Sequence, residues 1–255
     1  MLSRSISTTG SMPGICQPTE WVVSGSSSKQ RRMSGCVMLG SLKPGIMGRR
    51  KVREPRYRIS FTSGSLHHRE SVKLAELYLS LRDWEEVQVQ ALRDNLLQAR
   101  TESTAKRTCR EVIARLKTLN DGELAFLPEA NHQDQAHLLW VAVCRLYRFV
   151  ADFAVEVLRE RFVAMKLDLG FEDFDAFYNR KSEWHDELDN ASVSTRDKLR
   201  QVLFRMLREA DLLAKDKTIN AVLLSPRLVE LLRQNNPDEF FYFPVYESDI
   251  RGMSA

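Results

Sequence analysis

The sequence predicts an all-α protein: a globular helical bundle around one long central helix, with two helix-turn-helix units, the second of them winged or a plain helical hairpin. Three observations predict it. Between residues 131 and 162 the charged residues Arg145, Arg148, Asp152, Glu156 and Arg159 recur at steps of three and four. Leu139, Ala142, Val143, Leu146, Phe149, Val150, Phe153, Val157 and Leu158 fill the rest of the circumference, so this helix needs neighbours on several sides. Upstream, residues 70–119 give three helical periods separated by short polar connections, and downstream a basic amphipathic segment at 195–213 runs into a polar turn.

The first 53 residues stand apart. They are rich in Ser, Gly and Arg, show no sustained period, and carry nine basic residues against one acid, a net +8. They read as a disordered tail, with three explanations open: a start codon assigned too early, a genuine basic arm, or an acid-poor transit peptide. No hydrophobic run suited to a secretory signal follows Arg4. The remaining chain, 54–255, holds 29 basic and 33 acidic residues, a net −4, so any nucleic-acid partner must be met by local stripes rather than a global positive field.

Within 54–255, residues 54–120 form the first unit. Its extended lead-in, 57–66, ends at a Ser/Gly break, and an amphipathic helix follows over 70–81. Asp83 is a suitable N-cap for a helix over 84–98, and a third helix spans 103–119. On that third helix Ala105, Cys109, Val112, Ile113 and Leu116 make a core face. Ser103, Lys106, Arg107, Arg110, Ala114 and Lys117 fall in one adjacent stripe without an acid. A recognition helix needs such a packed back and cationic front, although a merely solvated face has the same composition.

Residues 121–128 read as a short turn or single helical turn, with Pro128 stopping it. Asn131 then caps the central helix, 131–165, which at 1.5 Å per residue is roughly 45 Å long. It is no membrane span, because Arg145 interrupts the apolar run far short of the ~20 residues required. Gly170 opens the second unit, 170–236. A helix over 171–189 places Phe171, Phe174, Phe177, Trp184 and Leu188 on one face and Glu172, Asp173, Asp175, Glu183, Asp186 and Glu187 on the other, a solvated or protein-facing surface. In the next helix Leu199, Val202, Leu203, Met206 and Ala210 face the core, while Lys198, Gln201, Arg205 and Arg208 form an exposed stripe whose Gln and Arg suit base-edge pairing. A β-leaning run at 218–224 is the candidate wing, Ser225-Pro226 caps a last helix, and the aromatic tail, 237–255, docks back on the core.

The candidate DNA contacts are therefore Arg100, Ser103, Lys106, Arg107, Arg110 and Lys117 around the first stripe and Thr195, Arg196, Lys198, Gln201, Arg205 and Arg208 around the second. No metal site is expected, since the four cysteines and five histidines show no ligand spacing, and no cofactor or catalytic motif is present.

One further pattern runs the length of the chain. Tyr57-x-Ile-x-Phe-Thr-x-Gly-x-Leu66, Asp83-Trp84, Asn95, Arg100-Thr101 with Thr104, Arg110-Glu111 with Arg115-Leu116, Leu138-Leu139-Trp140 with Cys144-Arg145 and Tyr147, Asp152-Phe153, Thr195-x-x-Lys198, Leu207-Arg-Glu-Ala210 and Phe243-Pro244 together resemble the BrxA family of bacteriophage exclusion (BREX) systems. The resemblance covers residues 57–244 and leaves the tail outside. It implies a non-enzymatic double-stranded-DNA-binding component with two helix-turn-helix units, acting beside a site-specific DNA methyltransferase, an alkaline-phosphatase-like protein and an ATPase. The inner-membrane label often given to that family does not suit a chain without a span. The expectation is thus a cytoplasmic, monomeric DNA-binding protein. Two alternatives stay open: a scaffold that holds other defence proteins with incidental DNA contact, and an RNA-binding helical bundle.

Overall fold

The computed structural model describes residues 56–61 and 64–246. The chain divides into two units, Met1–Arg50 and Lys51–Ala255. The first, and with it the expected basic tail, lies outside the described residues. In the second, helices follow one another: α1 (His68–Leu81), α2 (Trp84–Arg93), α3 (Glu102–Leu116), α4 (Asp121–Glu129), α5 (His132–Leu146), α6 (Arg148–Phe153), a π-helical segment (Ala154–Arg159), α7 (Glu160–Val163), α8 (Phe171–Ser182), α9 (Asp186–Asp189), α10 (Val193–Glu209), α11 (Pro226–Asn235) and a 3-10 segment (Pro237–Tyr242). There is no strand among the described residues, so the all-α class holds.

The starts of these helices are written in the sequence. Asp83 accepts from the amides of Glu85 and Glu86, Thr101 from Thr104, Asn131 from Gln133 and Asp134, Ser192 from Thr195, and Ser225 from Leu228 ahead of Pro226. Each such cap satisfies orphan amides and is worth about 1 kcal/mol. Residues 121–129 form a full helix rather than the expected turn, because Asn120 and Glu123 close a reciprocal capping box; Pro128 lies inside its last turn, has no amide for the Leu124 carbonyl, and the helix ends one residue later.

The middle of the bundle is α5, buried on every side from Ala136 to Cys144, with the Trp140 indole donating to the Tyr242 carbonyl at 3.0 Å. The expected continuous strut of 131–165 does not form. The helix breaks at Tyr147 (φ −121°, ψ 89°), and the chain beyond passes through the π-helical segment before ending at Val163. The break lies between two buried polar anchors. Arg145 pairs with Glu123 of α4 and Glu239 of the 3-10 segment, each at 2.7 Å, while the Tyr147 hydroxyl donates to Glu111 of α3 at 2.5 Å. Of the charged stripe, Arg148 and Glu156 are exposed, whereas Arg145 is nearly buried, Asp152 accepts from the Tyr57 hydroxyl, and Arg159, buried, lies with its guanidinium 4.5 Å from the Phe241 ring centre.

In the segment expected to hold the first helix-turn-helix, 54–120, α1, α2 and α3 pack on one another, and α4 packs on α1. The α2–α3 connection, 94–101, is longer than the roughly 3–4 residues of a helix-turn-helix turn and passes through left-handed Asn95 and Gln98. In the segment expected to hold the second helix-turn-helix, 170–236, the expected helix over 171–189 ends at Ser182. The turn that follows rotates the register, so Trp184 is 64% exposed and His185 enters the core instead. Residues 218–224 form no strand: only the isolated bridges Leu213–Ile219 and Asp168–Thr218 form, tying the turn after α10 to the segment before α8. The aromatic tail docks as expected, with Phe240, Phe243 and Val245 buried, as far as Tyr246; residues 247–255 lie outside the described ones. No helix among the described residues is long and apolar enough to cross a membrane.

Candidate nucleic-acid interface

The site begins with the lead-in to α1. Its apolar residues make it part of the core: Tyr57, Phe61 and Leu66 are buried, and the Phe61 ring lies 5.3 Å from that of Tyr147. Beyond Phe61 the chain returns at Gly64 and is pinned from two sides. From α3, Arg115, only 1% exposed, donates through one guanidinium nitrogen to the Ser65 carbonyl at 2.8 Å and reaches the Leu66 carbonyl at 3.4 Å. Glu111 holds Arg115 at 3.0 Å and also accepts from Tyr147, whose phenol is pushed up to about 12 by burial and by the Glu111 carboxylate. From α10, Glu209 accepts the Leu66 amide at 2.5 Å. A side chain at Gly64 would sit 3.1 Å from the Arg115 guanidinium, so this position favours glycine.

The pinned turn brings the two basic helices to one place. Arg107 of α3 and Lys198, Val202 and Arg205 of α10 line a groove of about 360 Å³ together with Gly64, Ser65 and His67, and none of its seven lining residues is acidic. A second groove of about 440 Å³ continues past the end of α10, lined by Arg205, Arg208, Glu209, Asp211, Leu213, Ala214 and Lys215. Among the described residues no carboxylate pairs with Arg107, Lys198 or Arg208, whereas Arg205 has Glu209 at 3.7 Å and Lys106 has Glu102 at 2.5 Å.

The remaining expected contacts are distributed as follows. Arg100, Ser103, Lys106, Arg110 and Lys117 are exposed around α3, with the Arg110 guanidinium turned back to the Lys106 carbonyl. Gln201 is exposed on α10 but lines neither groove. Arg196 is not on the stripe: it pairs with Asp175 of α8 at 3.0 Å and lies over the Tyr178 ring, and Arg200, one turn on, pairs with the same acid at 2.8 Å. Thr195 is half-buried in the cap of α10. Sequence reasoning missed Gly64, Ser65, His67 and Lys215. Lys215 had a usable signal, a cation in a polar turn directly after a basic helix, and Gly64 stands in the family pattern.

The sequence model of the family described as BrxA matches residues 55–236. The chain belongs to the BrxA family. Curated relatives named "BREX protein BrxA" include one from Escherichia coli O9:H4 (strain HS), 30% identical over 173 residues, which are 67% of this chain and 81% of that protein. Another, from Bacillus cereus (strain H3081.97), is 30% identical over 151 residues, 58% of this chain and 76% of the relative. A third, from Paramagnetospirillum magneticum (strain ATCC 700264 / AMB-1), is 26% identical over 185 residues, 72% of this chain and 93% of the relative. The crystal structure of an uncharacterized protein from Magnetospirillum magneticum superposes with a TM-score of 0.65 at 22% identity, covering 74% of this chain and 98% of that one, a likeness of fold.

Within the BrxA-family region, the groove has the means to bind anions. Three cations from two helices and a serine hydroxyl surround a space without an acid, and phosphate oxygens are what such donors recognise. The acidic face of α8 and α9 is partly occupied, while Glu172, Glu183 and Asp186 are exposed. On the α8–α9 face Asp173 pairs with Arg161, Asp175 with Arg196 and Arg200, and Glu187 with the Tyr57 amide and His185. Among the described residues no group of three or more His, Cys, Asp or Glu is placed to hold a metal. Burial raises the thiol pKa of both Cys109 and Cys144.

Proposed function

We propose that this BrxA-family chain is a non-enzymatic component of a BREX phage-defence system and binds double-stranded DNA across α3 and α10, beside the other proteins of that system. The observation that carries the reading is the acid-free groove in which Arg107, Lys198 and Arg205 converge from both helices, although the region from residue 54 onward is net acidic. A positive patch on a negative body is built for a local polyanion. The relatives' name supports the BREX assignment. The scaffold reading has less to rest on: of the six acids on the face it requires, Asp173, Asp175 and Glu187 are spent on internal pairs, and Glu172, Glu183 and Asp186 remain exposed.

The test is equilibrium binding of the full chain to a labelled duplex across a salt series, with duplex RNA and single-stranded RNA of the same sequence as competitors. The expected result is binding whose log affinity falls linearly with log salt, at about 0.9 per neutralised phosphate, and DNA competing best. No binding at low salt, or preference for RNA, would overturn the reading.

A further inference from the structure

The sequence pattern suggests two separate recognition units, yet the structure joins their helices through the turn at residues 64–67. We infer that Arg107, Lys198 and Arg205, with Ser65, form one phosphate site in which α3 and α10 hold the same backbone phosphate of a duplex strand. This rests on the proposed DNA binding and adds to it a shared point of contact.

The turn is fixed relative to both helices. Arg115, buried in α3, donates to the Ser65 carbonyl, and Glu209 of α10 takes the Leu66 amide. Ser65 Oγ accepts the His67 amide at 3.2 Å, which orients the oxygen and leaves its proton for a ligand in the groove. The groove's volume, about 360 Å³, lies at the small end of ligand sites and suits a phosphate with its adjoining sugars rather than a base-reading surface. Arg107 and Lys198 have no carboxylate partner among the described residues and Arg205 shares a 3.7 Å pair with the exposed Glu209, so the donors lining the groove are open to an anion. An anion seated between them is met by all three, and the pinned turn requires little reordering on binding.

A double-mutant cycle on the full chain tests this: Arg107→Gln, Lys198→Gln and the pair, with affinity for a labelled duplex measured at one salt concentration. Both residues are exposed, so far-UV circular dichroism should be unchanged. Each single change should weaken binding several-fold, and the double change should fall short of the product of the two by about threefold or more, because the second substitution acts on a phosphate already released. Effects that multiply to within about twofold would mean independent contacts, overturning the shared site while leaving DNA binding intact. A parent chain that binds no duplex would instead defeat the functional reading itself. A closed circular duplex, which has no terminal phosphate, should compete as well as a linear one of equal length. Competition by ended duplex alone would overturn the assignment to a backbone phosphate.

Discussion

Replacing Arg145 with Met removes the cation from a deeply buried charge cluster at the centre of the bundle. Glu123 and Glu239 have side chains 0% and 4% exposed, and Arg145 holds both through paired 2.7 Å hydrogen bonds while also donating to the Thr118 carbonyl at 2.9 Å. Burial alone would lower the pKa of the guanidinium, but the hydrogen bonds to the two carboxylates more than offset this, so it stays charged. Without it two carboxylates are left uncompensated between α4, α5 and the 3-10 segment. Breaking a buried pair in this way costs about 3–5 kcal/mol, and at about 2–4 °C per kcal/mol for a domain this large the melting temperature should fall by roughly 6–20 °C. Thermal and urea unfolding followed by circular dichroism measure it. Adding Glu123→Gln and Glu239→Gln should restore much of the stability, since an amide at Glu123 keeps an acceptor for the Asn120 amide of the capping box while both charges disappear. An Arg145→Met chain within about 1 kcal/mol of the parent, or a neutralised triple variant no more stable than the single one, would refute the reasoning.

Two other predictions follow from single residues. His137 is fully buried against Phe243 and has no hydrogen-bond partner among the described residues, and burial lowers its pKa, so it is neutral in the fold. Its contribution to stability is complete above the unfolded value of about 6.5 and is lost as pH falls below that, by up to about 1.4 kcal/mol per unit until the folded pKa is reached. His137→Leu should flatten the stability–pH curve in that window, and an unchanged curve would place the titration elsewhere. Glu209→Gln keeps an acceptor for the Leu66 amide but removes the carboxylate 3.7 Å from Arg205, so duplex binding should tighten several-fold at low salt and converge with the parent at high salt. Unchanged affinity would place Glu209 outside the DNA face.

How far the sequence revealed all this depends on the kind of signal. Capping residues act over three or four positions, and Asp83, Asn131 and Ser225 do in the structure what their sequence neighbours suggest. The exposure of Lys106, Arg107, Lys198 and Arg205 followed from helical period, because a period fixes a face. What period does not see is a side chain that finds a partner far along the chain. Arg115, Arg145 and Arg196 sit at positions that read as polar surface, yet each is drawn to an acid or carbonyl on another element. The break at Tyr147 had no proline or glycine to announce it, and the turn at 183–185 carried Trp184 outward by a shift no local rule contains. The convergence of the two stripes was hidden for the same reason: Arg107 and Lys198 are brought together by hydrogen bonds to Ser65 and Leu66, residues that read as a plain break. Gly64, Leu66, Glu111, Arg115, Tyr147 and Glu209 all belong to the pattern that carried the family resemblance, and they meet at this clamp.

The central claim is that α3 and α10 bind duplex DNA through their exposed cations, and its most direct measurement is the salt dependence of binding after charge reversal. Lys106, Arg107 and Arg110 changed together to Glu, and separately Lys198, Arg205 and Arg208, should leave the circular dichroism spectrum unaltered, since all six are exposed. Each reversal should weaken duplex binding strongly and make the slope of log affinity against log salt shallower by roughly 2–3 units, at about 0.9 for each phosphate that is no longer neutralised. If both variants bind duplex DNA like the parent at equal salt, with the same slope, the stripes are solvated faces and the account is contradicted.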